Sequence, residues 1–287
     1  IDVKGDYSTV GVYSHAGSTI VNGDVKVRID SNHGGWTEYD SAGVYAHAGY
    51  NGATGGNITI NGNVDIAGVG NGLLANMGGA TVNVNGGKIN IIDNYDDDNK
   101  IYSAIYAAGG KVNMNVTKDA NGKVTGAGTN DVDITGNVVV SVGAVSAVDK
   151  PGMQTEVNLG LTTEKSQMTG VIYNEFPEGG KVVSSRDGKV TFLGEANLWL
   201  QNGATWTNEQ QGKLPKVWQG EEFNGSKVTH FTGGSSAETA GNIYQKDSHD
   251  LTLDNYSGVT NIFYEHAGDG VTYNAGDTII KHAEAGS

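Results

Sequence analysis

Gly11-Val12-Tyr13-Ser14-His15-Ala16-Gly17 returns 32 residues later as Gly43-Val44-Tyr45-Ala46-His47-Ala48-Gly49. Looser copies follow at Gly72-Leu73-Leu74-Ala75-Asn76-Met77-Gly78, at Ala104-Ile105-Tyr106-Ala107-Ala108-Gly109 and, faintest, at Gly143-Ala144-Val145-Ser146-Ala147-Val148, with start-to-start spacings of 29, 32 and 39 residues. A second block trails the first three copies. It reads Thr19-Ile20-Val21-Asn22-Gly23-Asp24-Val25-Lys26-Val27, then Ile58-Thr59-Ile60-Asn61-Gly62-Asn63-Val64-Asp65-Ile66, then Val82-Asn83-Val84-Asn85-Gly86-Gly87-Lys88-Ile89-Asn90-Ile91. Each copy is two short alternating strands around an Asn-Gly corner, so one repeat carries three strands and three corners.

Repeats of this length stack as solenoids, in which equivalent strands of successive coils lie side by side in parallel. A bare coil needs roughly 20–25 residues, and the excess must leave as loops. Asn22-Gly23 follows His15 by 7 residues, but Asn61-Gly62 follows His47 by 14. A Gly-rich loop over 50–56 accounts for the difference, and 30–40, 93–100 and 117–130 are further loops. The expected fold is all-β: a right-handed parallel β-helix of three-strand coils with loop insertions and a distinct C-terminal capping section. Regular coils are expected over 1–160, and a C-terminal section with larger aromatics over 161–287.

Composition agrees. Gly is 45 of 287 residues, roughly twice its usual share. Only 3 are Pro, which excludes a collagen or a Pro-rich linker. The net charge of −14 argues against nucleic acid or an anionic membrane as a direct partner. Cys is absent, which excludes a disulfide scaffold and Cys-ligated zinc. No run of 18 apolar residues offers a membrane-spanning helix. The chain opens mid-pattern at Ile1-Asp2-Val3, as expected of a mature or trimmed polypeptide.

Alternation assigns the faces. The second positions of the first block (Val12, Val44, Leu73, Ile105) and the fourth (Ser14, Ala46, Ala75, Ala107) are expected inside. The third (Tyr13, Tyr45, Leu74, Tyr106) and the fifth (His15, His47, Asn76) are expected outside, stacked in ladders about 4.8 Å apart. The Tyr13/Tyr45/Tyr106 ladder could stack sugars or contact a partner, although face-to-face packing that stabilises the sheet is the favoured reading. His15 and His47 could bind a metal or sense pH, although simple repeat identity accounts for them.

After about Pro151 the pattern loosens and aromatics become denser. Asn197-Leu198-Trp199-Leu200-Gln201-Asn202-Gly203-Ala204-Thr205-Trp206-Thr207-Asn208 resembles the late segment of pertactin-like Gram-negative autotransporter passengers, where an NGATW step turns the chain into its next coil. Leu251-Thr252-Leu253-Asp254-Asn255-Tyr256-Ser257-Gly258 and Asn261-Ile262-Phe263-Tyr264 resemble a later element of that family. Met168-Thr169-Gly170 stands where the family often has W-T-G. The resemblance spans about 160–265. It implies export across the outer membrane, display on the cell surface, and a C-terminal outer-membrane β-barrel of the same polypeptide as anchor. The barrel's long alternating strands do not occur within these residues. The resemblance also implies that the C-terminal section corresponds to the family's folding-nucleus region.

Catalysis is not expected. No G-x-S-x-G elbow and no H-E-x-x-H occurs, and the seven His are dispersed. No cofactor is expected. Asp93, Asp96 and Asp98 form the densest acidic run and could hold Ca²⁺, but EF-hand spacing is missing and a solvated loop is the favoured reading. Trp36 with Tyr39 in a loop is the kind of pair that anchors an interface, or that folds back on the solenoid wall. The function expected is an adhesin that attaches to a host or bacterial surface protein or glycan, or to itself. A carbohydrate-active β-helix enzyme and a passive stalk are the alternatives.

Overall fold

The computed structural model describes residues 1–5, 9–30, 41–48, 55–91, 103–142, 154–178, 180–185, 188–212, 214, 223–265, 274–284 and 287. The chain is all-β, with long parallel sheets compatible with a β-helix, and no α-helix occurs among the described residues.

Strand pairing sorts the chain into three rows of parallel strands. The first row is Val10–His15, Ala42–His47, Asn71–Asn76, Ile105–Ala108, Val138–Ser141 and Ile172–Asn174. The second begins with Ser18–Val21 and takes the leading halves of Asn57–Gly68 and Thr81–Ile91. It continues through Lys111–Met114, Gln154–Leu161, Gly188–Leu200, Gly225–Thr232, Asp250–Ser257 and Thr278–Ala283. The third begins with Asp2–Gly5 and Val25–Ile29, takes the trailing halves of the same two long strands, and ends at Thr260–Tyr264. Because those long strands run through the corner, the second and third rows join in one 17-stranded sheet.

The repeat registers match residue for residue: Val12 pairs with Val44, Val44 with Leu73, and Leu73 with Ile105. The faint fifth copy is corrected. Ile105 pairs with Val138 rather than with residue 144, and 143–150 lie outside the described residues. Val138-Val139-Val140 supplies apolar side chains to both faces, which Gly143-Ala144 cannot do.

The Asn-Gly corners are held rung to rung. Asn61 Nδ2 donates to Asn22 Oδ1 at 2.7 Å, Asn85 Nδ2 to the Asn61 carbonyl at 2.6 Å, and Asn130 Nδ2 to the Asn85 carbonyl at 3.1 Å. A short amide at a corner thus satisfies polar groups that the turn exposes.

Val12, Val44, Leu73 and Ile105, with Ser14, Ala46, Ala75 and Ala107, are buried as the alternation predicts, and all but Ser14 belong to one interior apolar cluster that extends to Leu253. Each large aliphatic side chain so buried contributes about 1.5–3 kcal/mol. The outward-facing positions are open to solvent only at the first rung, where Tyr13 is 51% exposed and His15 is exposed. Tyr45, Tyr106, His47 and Asn76 are buried. Ala42, Tyr45, Leu74, Tyr106, Ala108, Val139 and Tyr173 form a second apolar cluster on the far side of the first row, joined by Leu214 and Phe223. Near-continuous apolar runs such as Ala104-Ile105-Tyr106-Ala107-Ala108 are what a parallel strand covered on both faces requires.

The NGATW step is built by Asn202 and Gly203, both in left-handed backbone at φ 53° and 77°. Asn202 Nδ2 donates to the Thr162 carbonyl at 3.0 Å, and the chain then delivers Trp206 into the core. Met168 is the register partner of Trp206 one rung earlier, so a flexible apolar side chain stacks beside an indole in the core.

Candidate functional site

The outer face of the second row carries a further repeated step. Val82-Asn83-Val84, Val112-Asn113-Met114, Val157-Asn158-Leu159 and Ala196-Asn197-Leu198 are the same apolar-Asn-apolar step at register-matched positions. The flanking residues point inward and the Asn points outward. Asn113 Nδ2 donates to Asn83 Oδ1 at 2.9 Å, Asn158 Nδ2 to Asn113 Oδ1 at 2.8 Å, and Asn197 Nδ2 to Asn158 Oδ1 at 2.9 Å. Such one-directional amide ladders polarise one another and fix the vertical register. The sequence signal was present but irregular, because inserted segments stretch the spacing between steps to 30, 45 and 39 residues.

Asn113, Asn158 and Asn197 of the ladder lie in the floor of a groove of about 510 Å³. The expected loop at 117–130 proves to be an antiparallel hairpin, Val116–Lys118 against Val124–Ala127, whose Gly122, Lys123 and Val124 line the groove. Asn115 anchors its base in left-handed backbone at φ 53°. Its Nδ2 donates to the carbonyls of Asn130 and Gly160 at 3.0 and 2.9 Å, and its Oδ1 accepts from the Asn130 amide at 3.0 Å. A second hairpin, Lys181–Ser185 against the start of Gly188–Leu200, enters the same row from the opposite end of the strand. Beyond it, Phe176, Pro177 and Leu193 line a further hollow that shares Glu195 with the groove.

Charge is paired along the floor. Lys111, Glu156 and Glu195 occupy one register lane, so the two carboxylates sit on adjacent strands, residue beside residue. Glu156 is committed: Lys111 Nζ donates to Oε2 at 2.7 Å and Asn158 Nδ2 to Oε1 at 2.7 Å. Glu195 receives a long contact from Asn197 Nδ2 at 3.5 Å. Lys118 Nζ donates to Asn83 Oδ1 under the first hairpin. Burial pushes its ammonium below the ordinary lysine value, with Lys111 adding to the shift and Glu156 opposing it.

At its far end the ladder changes chemistry. The register partner after Asn197 is His230, then Asn255 and His282. Asn197 Oδ1 is buried and has no hydrogen-bond partner among the described residues. Trp199, half-buried, lies beside it as the partner of Gly160, and both Trp199 and His230 line the groove. Carboxylate and amide oxygens accept from hydroxyls, an indole face stacks on apolar ring faces, and two neighbouring carboxylates are the equipment of acid–base chemistry.

The sequence-derived candidates fall elsewhere. Tyr13 is exposed at the first rung, and its ring meets that of Tyr45 at 5.2 Å with a 58° tilt rather than face to face. Tyr45 and Tyr106 are buried, at 9% and 2% exposure, and pack in the second apolar cluster. His15 and His47 do approach, at 5.0 Å between ring centres. Trp36, Tyr39, Asp93, Asp96 and Asp98 lie outside the described residues.

No family model, no curated protein and no solved structure matches this chain.

Proposed function

We propose that this chain is the surface-displayed passenger of a Gram-negative autotransporter, wound as a right-handed parallel β-helix of three-strand coils, and that it acts as an adhesin. The observation that carries the reading is the second row: a continuous parallel stack from Ser18–Val21 to Thr278–Ala283 whose outer flank carries a groove walled by the first hairpin. A repetitive flank of this kind can make many weak contacts at once, which is the arithmetic of attachment. The left-handed Asn202-Gly203 turn that sends Trp206 inward supports the kinship with pertactin-like passengers. The partners are then a host or bacterial surface protein or glycan, or a second copy. The outer-membrane anchor is a β-barrel of the same polypeptide.

The test is display of the chain on a barrel, with cell aggregation, biofilm formation and host-cell binding measured against the barrel alone. A gain in any of them supports adhesion, and equality with the barrel in all three rejects it.

One observation favours a second reading, a carbohydrate-active enzyme: Glu156 and Glu195 stand side by side in an open cleft. Turnover on a glycan panel, abolished by Glu195→Gln, would put this reading first.

A further inference from the structure

We propose that the far end of the second-row groove is a binding site for an uncharged glycan, with one sugar ring stacked on Trp199 and its hydroxyls donating to Glu195. This deepens the adhesion reading and rests on it for its biological use.

Three features select the ligand. First, the unmet demand is for donors. Glu195 lines the groove and, unlike Glu156, has no lysine within salt-bridge distance among the described residues; Asn197 Nδ2 reaches it only at 3.5 Å. Hydroxyl groups fit this acceptor.

Second, the lining is charge-balanced. Its formal charges are Lys111 and Lys123 against Glu156 and Glu195, and Lys111 is already spent on Glu156 at 2.7 Å. A polyanion finds no free cationic cluster on the floor and meets a chain of net charge −14.

Third, the apolar side chains of the lining are the half-buried indole of Trp199 and Val124 on the hairpin wall, and the floor's backbone is already paired to the rungs before and after it. An incoming peptide strand would therefore find no sheet edge to extend and little apolar surface to bury. A ring with one apolar face and a rim of hydroxyls uses what is present.

The experiment is titration of the purified chain with cellohexaose, maltohexaose, mannohexaose and hexagalacturonate, followed by Trp fluorescence and calorimetry. Trp199→Ala, Glu195→Gln and Asn197→Asp are compared with wild type, and circular dichroism and urea midpoints verify their folds. Binding of at least one neutral hexasaccharide is expected, weakened about tenfold by Trp199→Ala, with weaker binding of hexagalacturonate. Asn197→Asp controls for loss of the ladder's amide donor. Should it alone unfold the chain, Trp199→Ala and Glu195→Gln still decide. Binding of no neutral hexasaccharide, affinity unchanged in both of those variants, or preference for hexagalacturonate overturns the proposal. The same variants on the displayed chain separate the two ideas. Adhesion that survives Trp199→Ala and Glu195→Gln leaves the adhesin standing and removes the groove from it. Sugar binding by a chain that confers no attachment keeps the site and removes the adhesin.

Discussion

Trp206 donates its indole N–H to the carbonyl of Gly170 at 2.9 Å, from a side chain with no solvent exposure, and so ties two third-row coils together from inside. The bond satisfies a polar handle that would otherwise be a liability in an apolar core. Trp206→Phe leaves the Gly170 carbonyl unmet and is expected to cost about 1–3 kcal/mol. Trp206→Ala adds a cavity and is expected to cost about 3–5 kcal/mol. Equilibrium urea unfolding measures both, and equal midpoints for wild type and Trp206→Phe would show the bond to be idle.

Glu175 and Lys181 form an ion pair at 3.1 Å, with the carboxylate fully buried and also accepting from the Val142 amide. Breaking a buried pair from one side strands the other charge. Lys181→Met is therefore expected to destabilise the chain by about 3–5 kcal/mol. Adding Glu175→Gln should recover most of that loss, because the amide oxygen still accepts from Val142 while the charge is gone. A double variant no more stable than Lys181→Met alone would contradict this account.

His47 gives a pH dependence. Burial first, and then the nearby His15, hold its pKa below the ordinary value of 6.5. Below that value the unfolded chain takes up a proton that the folded chain refuses, so stability is full at neutral pH and falls on acidification until folded His47 also protonates. The melting temperature should drop between about pH 7 and about pH 5, and His47→Gln should flatten that part of the profile. His15→Gln, which removes only the smaller cause, should flatten it less. An identical slope in wild type and His47→Gln would place the titration elsewhere.

Asn115 holds the first hairpin over the groove through a left-handed backbone and three side-chain bonds to Asn130 and Gly160. Asn115→Ala both strains that backbone and leaves buried groups unmet, at about 1–3 kcal/mol for the latter. Amide exchange in Val116–Lys118 and Val124–Ala127 should accelerate before exchange in the neighbouring second-row strands changes. Uniform acceleration along the chain would mean the residue serves the stack rather than the hairpin.

The sequence by itself determined the rungs. Val12, Val44, Leu73 and Ile105 declared their register because an inward position tolerates only apolar side chains of similar size, and that constraint repeats at every coil. The Asn-Gly corners were equally legible, since the same dipeptide recurs at Asn22-Gly23, Asn61-Gly62 and Asn85-Gly86. What only the tertiary structure decided was which outer faces stay open. Alternation says that Tyr45 and Tyr106 leave the interior, but not that other segments return to cover them in a second apolar cluster. The groove was hidden for the related reason that Asn113, Asn158 and Asn197 are far apart along the chain and meet only through stacking. Local pattern fixes which way a side chain faces along its own strand. What it then meets depends on chain segments whose return path no local pattern encodes.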